Sequence, residues 1–307
     1  MKLEGLHHIT AITGDAPRNV EFYAGTLGLR MVKKTVNQDD PTVYHLFYGD
    51  EHGSPGADLT FFEYPGAVRG RPGSGMVHRI VWRVASPEAI DFWEGRLADE
   101  GTATQRTDDG LRFSDPEGLD HELLVGLHGD QGLAAEHPDI PAELALQGFD
   151  GVRAYNASPE RSTALLEDAM GFHRAGQGWE LRGDDRGSTY VYDEPPAESA
   201  IPGAGTIHHV AWASRIDELS DWRTRVQQGG ARPTDLIDRF YFRSIYFREP
   251  SGVLFEIATM GPGFATDEDQ DHLGERLSLP PAFEHLRDRL EPVLTPLPNP
   301  RAAQHSG

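Results

Sequence analysis

An internal repeat, present four times along the chain, constrains the fold more than any other feature. Each copy opens with an alternating pattern typical of a half-buried strand and continues with a helix pattern and short strands. The opening segments cover residues 5–13, 76–84, 148–157 and 206–214. The repeat therefore predicts an α+β fold built from four βαβββ modules.

The first module shows the pattern most clearly. Asp15 is a good helix N-cap, and Pro17 is tolerated in the first turn of a helix. An apolar stripe follows, and Gly28 ends the predicted helix. Short strands are predicted near residues 29–36, 43–49 and 57–64 of this module.

The other modules repeat this order. Helices are predicted over 87–99, 159–170 and 216–228, and the ending Met170-Gly-Phe mirrors Leu27-Gly-Leu. The second and fourth modules match most closely, because HRIVW at 78–82 corresponds to HHVAW at 208–212. The last strands of the second module are predicted near 111–115 and 120–126. Those of the fourth module are predicted near 232–238, 241–248 and 252–259.

Composition and charge exclude several classes of protein. The chain has 28 basic and 49 acidic residues, a formal charge of −21, which repels phosphate backbones and argues against nucleic-acid binding. It lacks an apolar run long enough to span a membrane, and its first residues show no signal core, so we expect a cytoplasmic protein. The absence of cysteine excludes disulfides, thiolate catalysis and zinc–thiolate sites.

The repeat also separates candidate metal ligands from the other histidines. His8 and His209 occupy the same place in modules one and four, where modules two and three hold Arg79 and Gly151. Neither arginine nor glycine offers a ligand atom. Glu256 lies in the apolar strand pattern VLFEIA, where a carboxylate is costly unless it is paired or coordinated. We therefore predict a metal site between modules one and four.

Two histidines and one carboxylate with open positions form the facial triad of non-haem Fe(II) oxygenases. These ligands suit Fe(II), with Mn(II) as the alternative. Glu122 matches Glu256 in the repeat but has no histidine partners, so we interpret it as a surface or structural carboxylate.

Five blocks of sequence, taken together and in order, resemble a known family: GLHHITAITGDAPRNVEFY, LGLRMVKKTVNQDDPTVYHLFYGDEHGSPG, GTIHHVAWA, DRFYFRSIYFREPSGVLFE and GFATDEDQDHLGERLSLPP. The chain resembles the vicinal oxygen chelate superfamily, which includes glyoxalases and extradiol dioxygenases. Within it, the chain is most similar to hydroquinone ring-cleaving dioxygenases, the group that includes 2,6-dichlorohydroquinone 1,2-dioxygenase. The resemblance implies two open-barrel halves, with the metal in the half built from modules one and four.

The resemblance also implies a reaction and a set of pocket residues. The reaction is Fe(II)-dependent opening of a small 1,4-dihydroxybenzene ring with O2. The implied pocket residues are Tyr246, Arg239, His208, His7 and Thr10. Strand alternation supports Thr10 but argues against His7 and His208, because neighbours of the ligands His8 and His209 face the other way unless a bulge intervenes. A core role for Tyr246 and a surface ion pair of Arg239 with Asp238 remain as structural interpretations.

Two alternatives remain open on the same fold. A glyoxalase-like isomerase or transferase would carry a fourth ligand on the last strand of module one, where alignment favours Thr60 but leaves Glu63 as a candidate. A metal-free small-molecule binding protein is disfavoured by the intact triad.

The predicted organisation is modules one and two in 1–145, modules three and four in 146–265, and a tail with a short helix near 283–291 in 266–307. Homo-oligomers are possible for this fold, and no partner beyond the substrate and O2 is expected.

Overall fold

We describe the fold from a computed structural model, which describes residues 1–126 and 129–301. Within them, the strands form two eight-stranded sheets, and the helices are few. This architecture confirms the predicted α+β class with four modules. No helix in these two ranges is long and apolar enough to cross a membrane.

The first half of the chain contains eight strands, β1 to β8. Module one has the strands β1 Leu6–Thr13, β2 Arg30–Asn37, β3 Asp40–Gly49 and β4 Asp58–Glu63. Module two has the strands β5 Val77–Val84, β6 Thr104–Arg106, β7 Gly110–Ser114 and β8 Asp120–Val125. The helices are α1 Ala16–Val20, which continues as a π-helix over Glu21–Thr26, and α2 Pro87–Asp99.

The second half repeats this order with β9 to β16. Module three has the strands β9 Phe149–Tyr155, β10 His173–Ala175, β11 Gly178–Arg182 and β12 Gly187–Asp193. Module four has the strands β13 Ile207–Ser214, β14 Ile237–Asp238, β15 Phe242–Arg248 and β16 Leu254–Pro262. The helical segments are a 3-10 turn Pro159–Ser162, a π-helix Leu165–Ala169, α3 Leu219–Gln228, and α4 Arg287–Leu290 in the tail.

The sheets pair the modules in the way that the ligand pattern predicted. One sheet has the order β14-β15-β16-β13-β1-β4-β3-β2, so it combines modules four and one. The other has the order β10-β11-β12-β9-β5-β8-β7-β6 and combines modules three and two. In each sheet the two opening strands pair antiparallel at the centre. The three predicted metal ligands, on β1, β13 and β16, therefore lie on three adjacent strands.

The helices pack against the sheets through apolar residues at helical spacing. On α2, Ser86 caps the first turn and Ala89, Ile90, Trp93 and Leu97 are buried. These positions lie on one face of a helix, so α2 covers the sheet with that face. Each large side chain buried in this way contributes roughly 1.5–3 kcal/mol from removal of its surface from water.

The helices of modules one and three differ from the prediction. A single α-helix was expected in each, but both end in a π-helical turn. Both also end at a glycine with positive φ, Gly28 at +69° and Gly171 at +83°, a conformation that glycine adopts without steric cost. The glycine ends are thus as predicted, whereas the wider final turn has no signal in the apolar pattern.

Candidate metal centre and cavity

Three predicted ligands from opposite ends of the sequence meet in the sheet of modules one and four. His8 Nε2 lies 3.3 Å from His209 Nε2, and Glu256 Oε2 lies 3.1 and 2.9 Å from these two nitrogens. All three side chains are buried. Three ligands that surround one divalent ion at bond lengths of about 2.1 Å form a triangle of this size.

The hydrogen bonds around the triad leave its inner atoms available as acceptors. Nδ1 of His8 lies 2.9 Å from Nδ1 of His7, and Nδ1 of His209 lies 2.8 Å from Nδ1 of His208. If each ligand donates from Nδ1, both Nε2 lone pairs point inward toward Glu256 Oε2. That oxygen is buried and accepts no hydrogen bond from the part of the chain described. Converging lone pairs of this kind fit a cation.

The electrostatics of the triad agree with this fit. Burial alone would raise the pKa of Glu256, but the adjacent His8 and His209 lower it well below its usual value. Burial lowers the pKa of His209. The carboxylate is therefore ionised and His209 is neutral, which are the forms that bind a metal. Glu256 also accepts a short hydrogen bond from Ser244, which fixes its other oxygen.

Two β-bulges place the flanking histidines. The pairing of β1 with β13 shifts by one residue between Leu6 and His8, which leaves His7 extra, and a second shift leaves His208 extra. A bulge releases its residue from strict alternation. The bulges that strand alternation required for His7 and His208 are therefore present, and both imidazoles turn toward the predicted ligand beside them.

The two flanking histidines differ in what remains available on each ring. His7 is buried, and its Nε2 donates to the carbonyl of Thr259 at 3.1 Å while its Nδ1 faces His8. Both nitrogens are thus occupied. His208 is exposed, lines a cavity beside the triad, and its Nε2 has no partner in residues 1–126 and 129–301. His7 therefore orients a ligand, whereas His208 can also meet a bound molecule.

Tyr246 and Arg239 lie on the other side of the cavity. Tyr246 pairs with Glu256 across β15 and β16, as the predicted hairpin requires, and its ring centroid is 5.7 Å from that of His209. Arg239 Nε donates to the Tyr246 hydroxyl at 3.3 Å. Its two terminal nitrogens bind Asp39, at 3.1 and 3.0 Å, rather than Asp238. Burial and the nearby carboxylate of Glu256 raise the pKa of Tyr246, so its hydroxyl keeps its proton.

Thr10 and Thr60 continue the polar row beyond the triad. Thr10 is fully buried, and its hydroxyl lies 3.0 Å from His209 Nε2 and 2.8 Å from the Thr60 hydroxyl. Thr10 pairs with Thr60 just as Ala211 pairs with Glu256, so Thr60 stands at the repeat position of the carboxylate ligand. Glu63 lies farther along β4 and accepts from the Ala16 amide and the Thr295 hydroxyl.

The cavity next to the triad has a volume of about 330 Å³. Its lining includes His8, His209, His208, Arg239 and Tyr246, together with aromatic side chains. Several polar residues of this lining were not predicted from the sequence, among them Asn37, Asp39 and His45 on β3. The signal was present, because His45 alternates with Phe47 along β3 and belongs to a block that carried the resemblance.

The middle modules hold ion pairs at the equivalent place. Glu122 on β8 accepts from Arg79 at 3.4 Å and from Arg112 at 2.9 Å. Glu122 is buried, so of the two interpretations the structural one is correct. Arg79 occupies the ligand position of His8 and supplies the positive charge that a metal would otherwise bring. Within the described ranges, the only cluster of metal-ligand side chains is His8, His209 and Glu256.

Fold and site together define a metal-binding member of a glyoxalase-like fold with an open cavity. The model of the Glyoxalase/Bleomycin resistance protein/Dioxygenase superfamily matches residues 5–123 and 148–257. The chain belongs to this superfamily.

Relatives with similar sequences narrow the class. The chain is 40% identical to the provisionally named ring-cleaving dioxygenase MhqO of Bacillus subtilis (strain 168), over 96% of this chain and 97% of the relative. It is 32% identical to the chlorohydroquinone/hydroquinone 1,2-dioxygenase of Sphingobium indicum, over 94% of this chain and 95% of the relative. A crystal structure of a provisionally named dioxygenase from Bacillus subtilis superposes with a TM-score of 0.89 at 39% identity. The superposition covers 97% of this chain and 98% of the other. The resemblance and the predicted enzyme class, ring-cleaving dioxygenase, are confirmed.

Proposed function

We propose that this protein is an Fe(II)-dependent dioxygenase that opens the ring of hydroquinone-type (1,4-dihydroxybenzene) aromatics with O2. The observation that carries the proposal is the triad of His8, His209 and Glu256, with Thr60 rather than a carboxylate at the fourth repeat position. Two histidines and one carboxylate with open positions are typical of non-haem Fe(II) oxygenases. Mn(II) is the alternative metal with the same preference for these ligands.

The three ligands have the chemistry that such an ion requires. His8 and His209 would bind through Nε2, and Glu256 through Oε2, because these atoms converge. When bound, the ion supplies Lewis acidity that lowers the pKa of a phenolic hydroxyl, and open positions for the two reactants. His7 and His208 hold the ligand imidazoles in the tautomer that presents Nε2 inward.

The cavity residues would handle the proton and the charge of the substrate. His208 offers Nε2 at the cavity wall. Because its Nδ1 accepts from His209, the neutral ring carries its proton on Nε2 and can donate it to an oxygen of the substrate or product. Tyr246 is held by Arg239 and can donate a hydrogen bond to a phenolate oxygen. The charge of Arg239 further favours an anionic ring, and the aromatic lining excludes water from it.

The glyoxalase-like alternative would need a fourth protein carboxylate. Thr60 supplies a hydroxyl at that register, and Glu63 is engaged with Ala16 and Thr295 away from the triad. The binding-protein alternative leaves the buried carboxylate of Glu256 without a cation. Neither alternative is favoured by a specific observation.

The direct test starts from metal-free protein that is loaded with Fe(II) under anaerobic conditions. Addition of hydroquinone and then air should give O2 uptake, absorbance of a ring-opened product, and a product mass that contains both atoms of labelled O2. His209→Ala should abolish metal binding and turnover together. The proposal fails if the iron-loaded protein consumes no O2 with hydroquinones or catechols.

A further inference from the structure

His45 is a histidine of the cavity wall that the proposed chemistry does not use. It lies on β3, two strands away from β1 and its ligand His8 in the sheet order β1-β4-β3. The side chain is half-buried, and it lines the same cavity as the triad. A polar ring in an otherwise aromatic part of the wall requires an explanation.

The imidazole of His45 is held in one orientation. Its Nε2 lies 2.9 Å from the hydroxyl of Thr60. The ring packs between Phe47 and Phe62, with centroid distances of 4.0 and 4.4 Å. The hydrogen bond at Nε2 and the contacts with two aromatic rings together hold the imidazole in this orientation. Nδ1 forms no hydrogen bond within residues 1–126 and 129–301, although the ring borders the cavity.

A shared aromatic neighbour bounds the distance from the triad to His45. The ring centroid of Phe62 lies 4.4 Å from that of His45 and 6.5 Å from that of His209, so the two histidine rings lie at most about 11 Å apart. A benzene ring with hydroxyls on opposite carbons, one bond to a metal and one hydrogen bond together cover a span of this order.

The surroundings keep His45 neutral. Burial lowers the pKa of His45 well below its usual value, and the charge of Arg239 acts in the same direction. A neutral imidazole has one donor and one acceptor nitrogen. Since a phenolic hydroxyl both donates and accepts, it can pair with Nδ1 in either tautomer.

We infer that His45 is a specificity-determining residue that binds, through Nδ1, the hydroxyl of a para-dihydroxybenzene opposite the carbon that faces the triad. This inference rests on the proposed function and refines its substrate class. It explains how the cavity can favour 1,4-dihydroxy rings over rings with a single hydroxyl. Thr60, which replaces a carboxylate at the fourth repeat position, acts here as the positioning residue for His45.

Two substitutions distinguish the roles of the two ring nitrogens of His45. His45→Gln places an amide near the Nε2 position and keeps the bond to Thr60, but removes the cavity-facing group. His45→Asn places its amide near the Nδ1 position and keeps the cavity-facing group. His45→Phe, which preserves the stacking with Phe47 and Phe62, serves as a second variant without Nδ1 in case the Gln variant does not fold.

The measurement is anaerobic binding, which requires no turnover. Dissociation constants of hydroquinone and of para-cresol, in which a methyl group replaces the second hydroxyl, are determined by calorimetry on Fe(II)-loaded protein. Wild type should bind hydroquinone about tenfold more tightly than para-cresol, the value of one well-formed hydrogen bond. This preference should disappear in His45→Gln and His45→Phe and persist in His45→Asn, with equal metal content.

The outcomes separate this inference from the proposed function. An unchanged preference in His45→Gln or His45→Phe overturns the inference, even if the wild-type enzyme cleaves hydroquinone. A preference lost only in His45→Asn also overturns it. If hydroquinone binds with the expected preference but no O2 is consumed, the proposed reaction fails while the role of His45 stands.

Discussion

Replacement of Glu256 by Gln tests the metal centre most directly. The substitution keeps the size of the side chain and removes the charge from an oxygen that lies 2.9 and 3.1 Å from two ligand nitrogens. Glu256 is fully buried, so no water replaces the lost ligand. The amide can still accept from Ser244, which limits the effect to the metal.

The expected magnitude follows from linkage between binding and folding. A metal present at about a thousand times its dissociation constant stabilises the folded state by about 4 kcal/mol. At roughly 2 °C per kcal/mol for a large domain, wild type should gain about 8 °C in melting temperature with Fe(II). Glu256→Gln loses the only anionic ligand of the triad, and we expect it to keep less than about 1 kcal/mol of this increment.

The repeat supplies a matched control for this experiment. Glu122 is the equivalent buried carboxylate of the middle modules, and it binds Arg79 and Arg112 instead of a metal. Glu122→Gln should lower stability by about 1–3 kcal/mol with and without metal, because two guanidinium groups lose a charged acceptor. The gain in melting temperature that Fe(II) gives to Glu122→Gln should equal the gain in wild type. Anaerobic calorimetric melting of wild type and both variants, each with and without metal, measures these values. An undiminished metal-dependent increment in Glu256→Gln would refute the ligand assignment.

Three further predictions address the surrounding residues. His208→Ala should lower kcat roughly 100-fold or more at unchanged metal content, which steady-state kinetics can show. His7→Ala should instead weaken metal binding about 10–100-fold, which a metal titration can show. Asp39→Asn should raise KM for hydroquinone because it releases Arg239. The free energy of unfolding should change by less than about 1 kcal/mol because Asp39 is exposed. An unchanged KM would contradict the role of this pair. Burial lowers the pKa of His121 to about 3, so the unfolded chain binds more protons as pH falls from 6.5 toward 3. Stability should therefore fall across this window, and urea unfolding of His121→Gln should show a weaker dependence.

Comparison of the repeats in the sequence was sufficient to predict which three side chains form the candidate metal centre. Because the modules are copies, His8 and His209 had to occupy equivalent positions, and Arg79 and Gly151 excluded the other pair of modules. The sheet order then brings modules one and four together, as this pattern required. A repeated sequence carries three-dimensional information because each copy folds in the same way.

The flanking histidines show where reasoning from strand alternation ends. His7 and His208 lie at bulges, and a bulge depends on the register between β1 and β13, which are about 200 residues apart in the chain. The difference between them arises only in the folded protein. His7 meets the carbonyl of Thr259, whereas His208 faces a cavity.

The sequence by itself determined the modules, their order and the class of enzyme, and it predicted the three residues that meet in the triad, because these depend on residue type and on the repeat. Only the tertiary structure decided that Thr60 rather than Glu63 faces the triad and that His45 joins the cavity. It also showed that Arg239 binds Asp39 rather than Asp238. Each of these contacts joins different strands or loops. The pairing between strands fixes which side chains meet, and local sequence patterns do not encode that pairing.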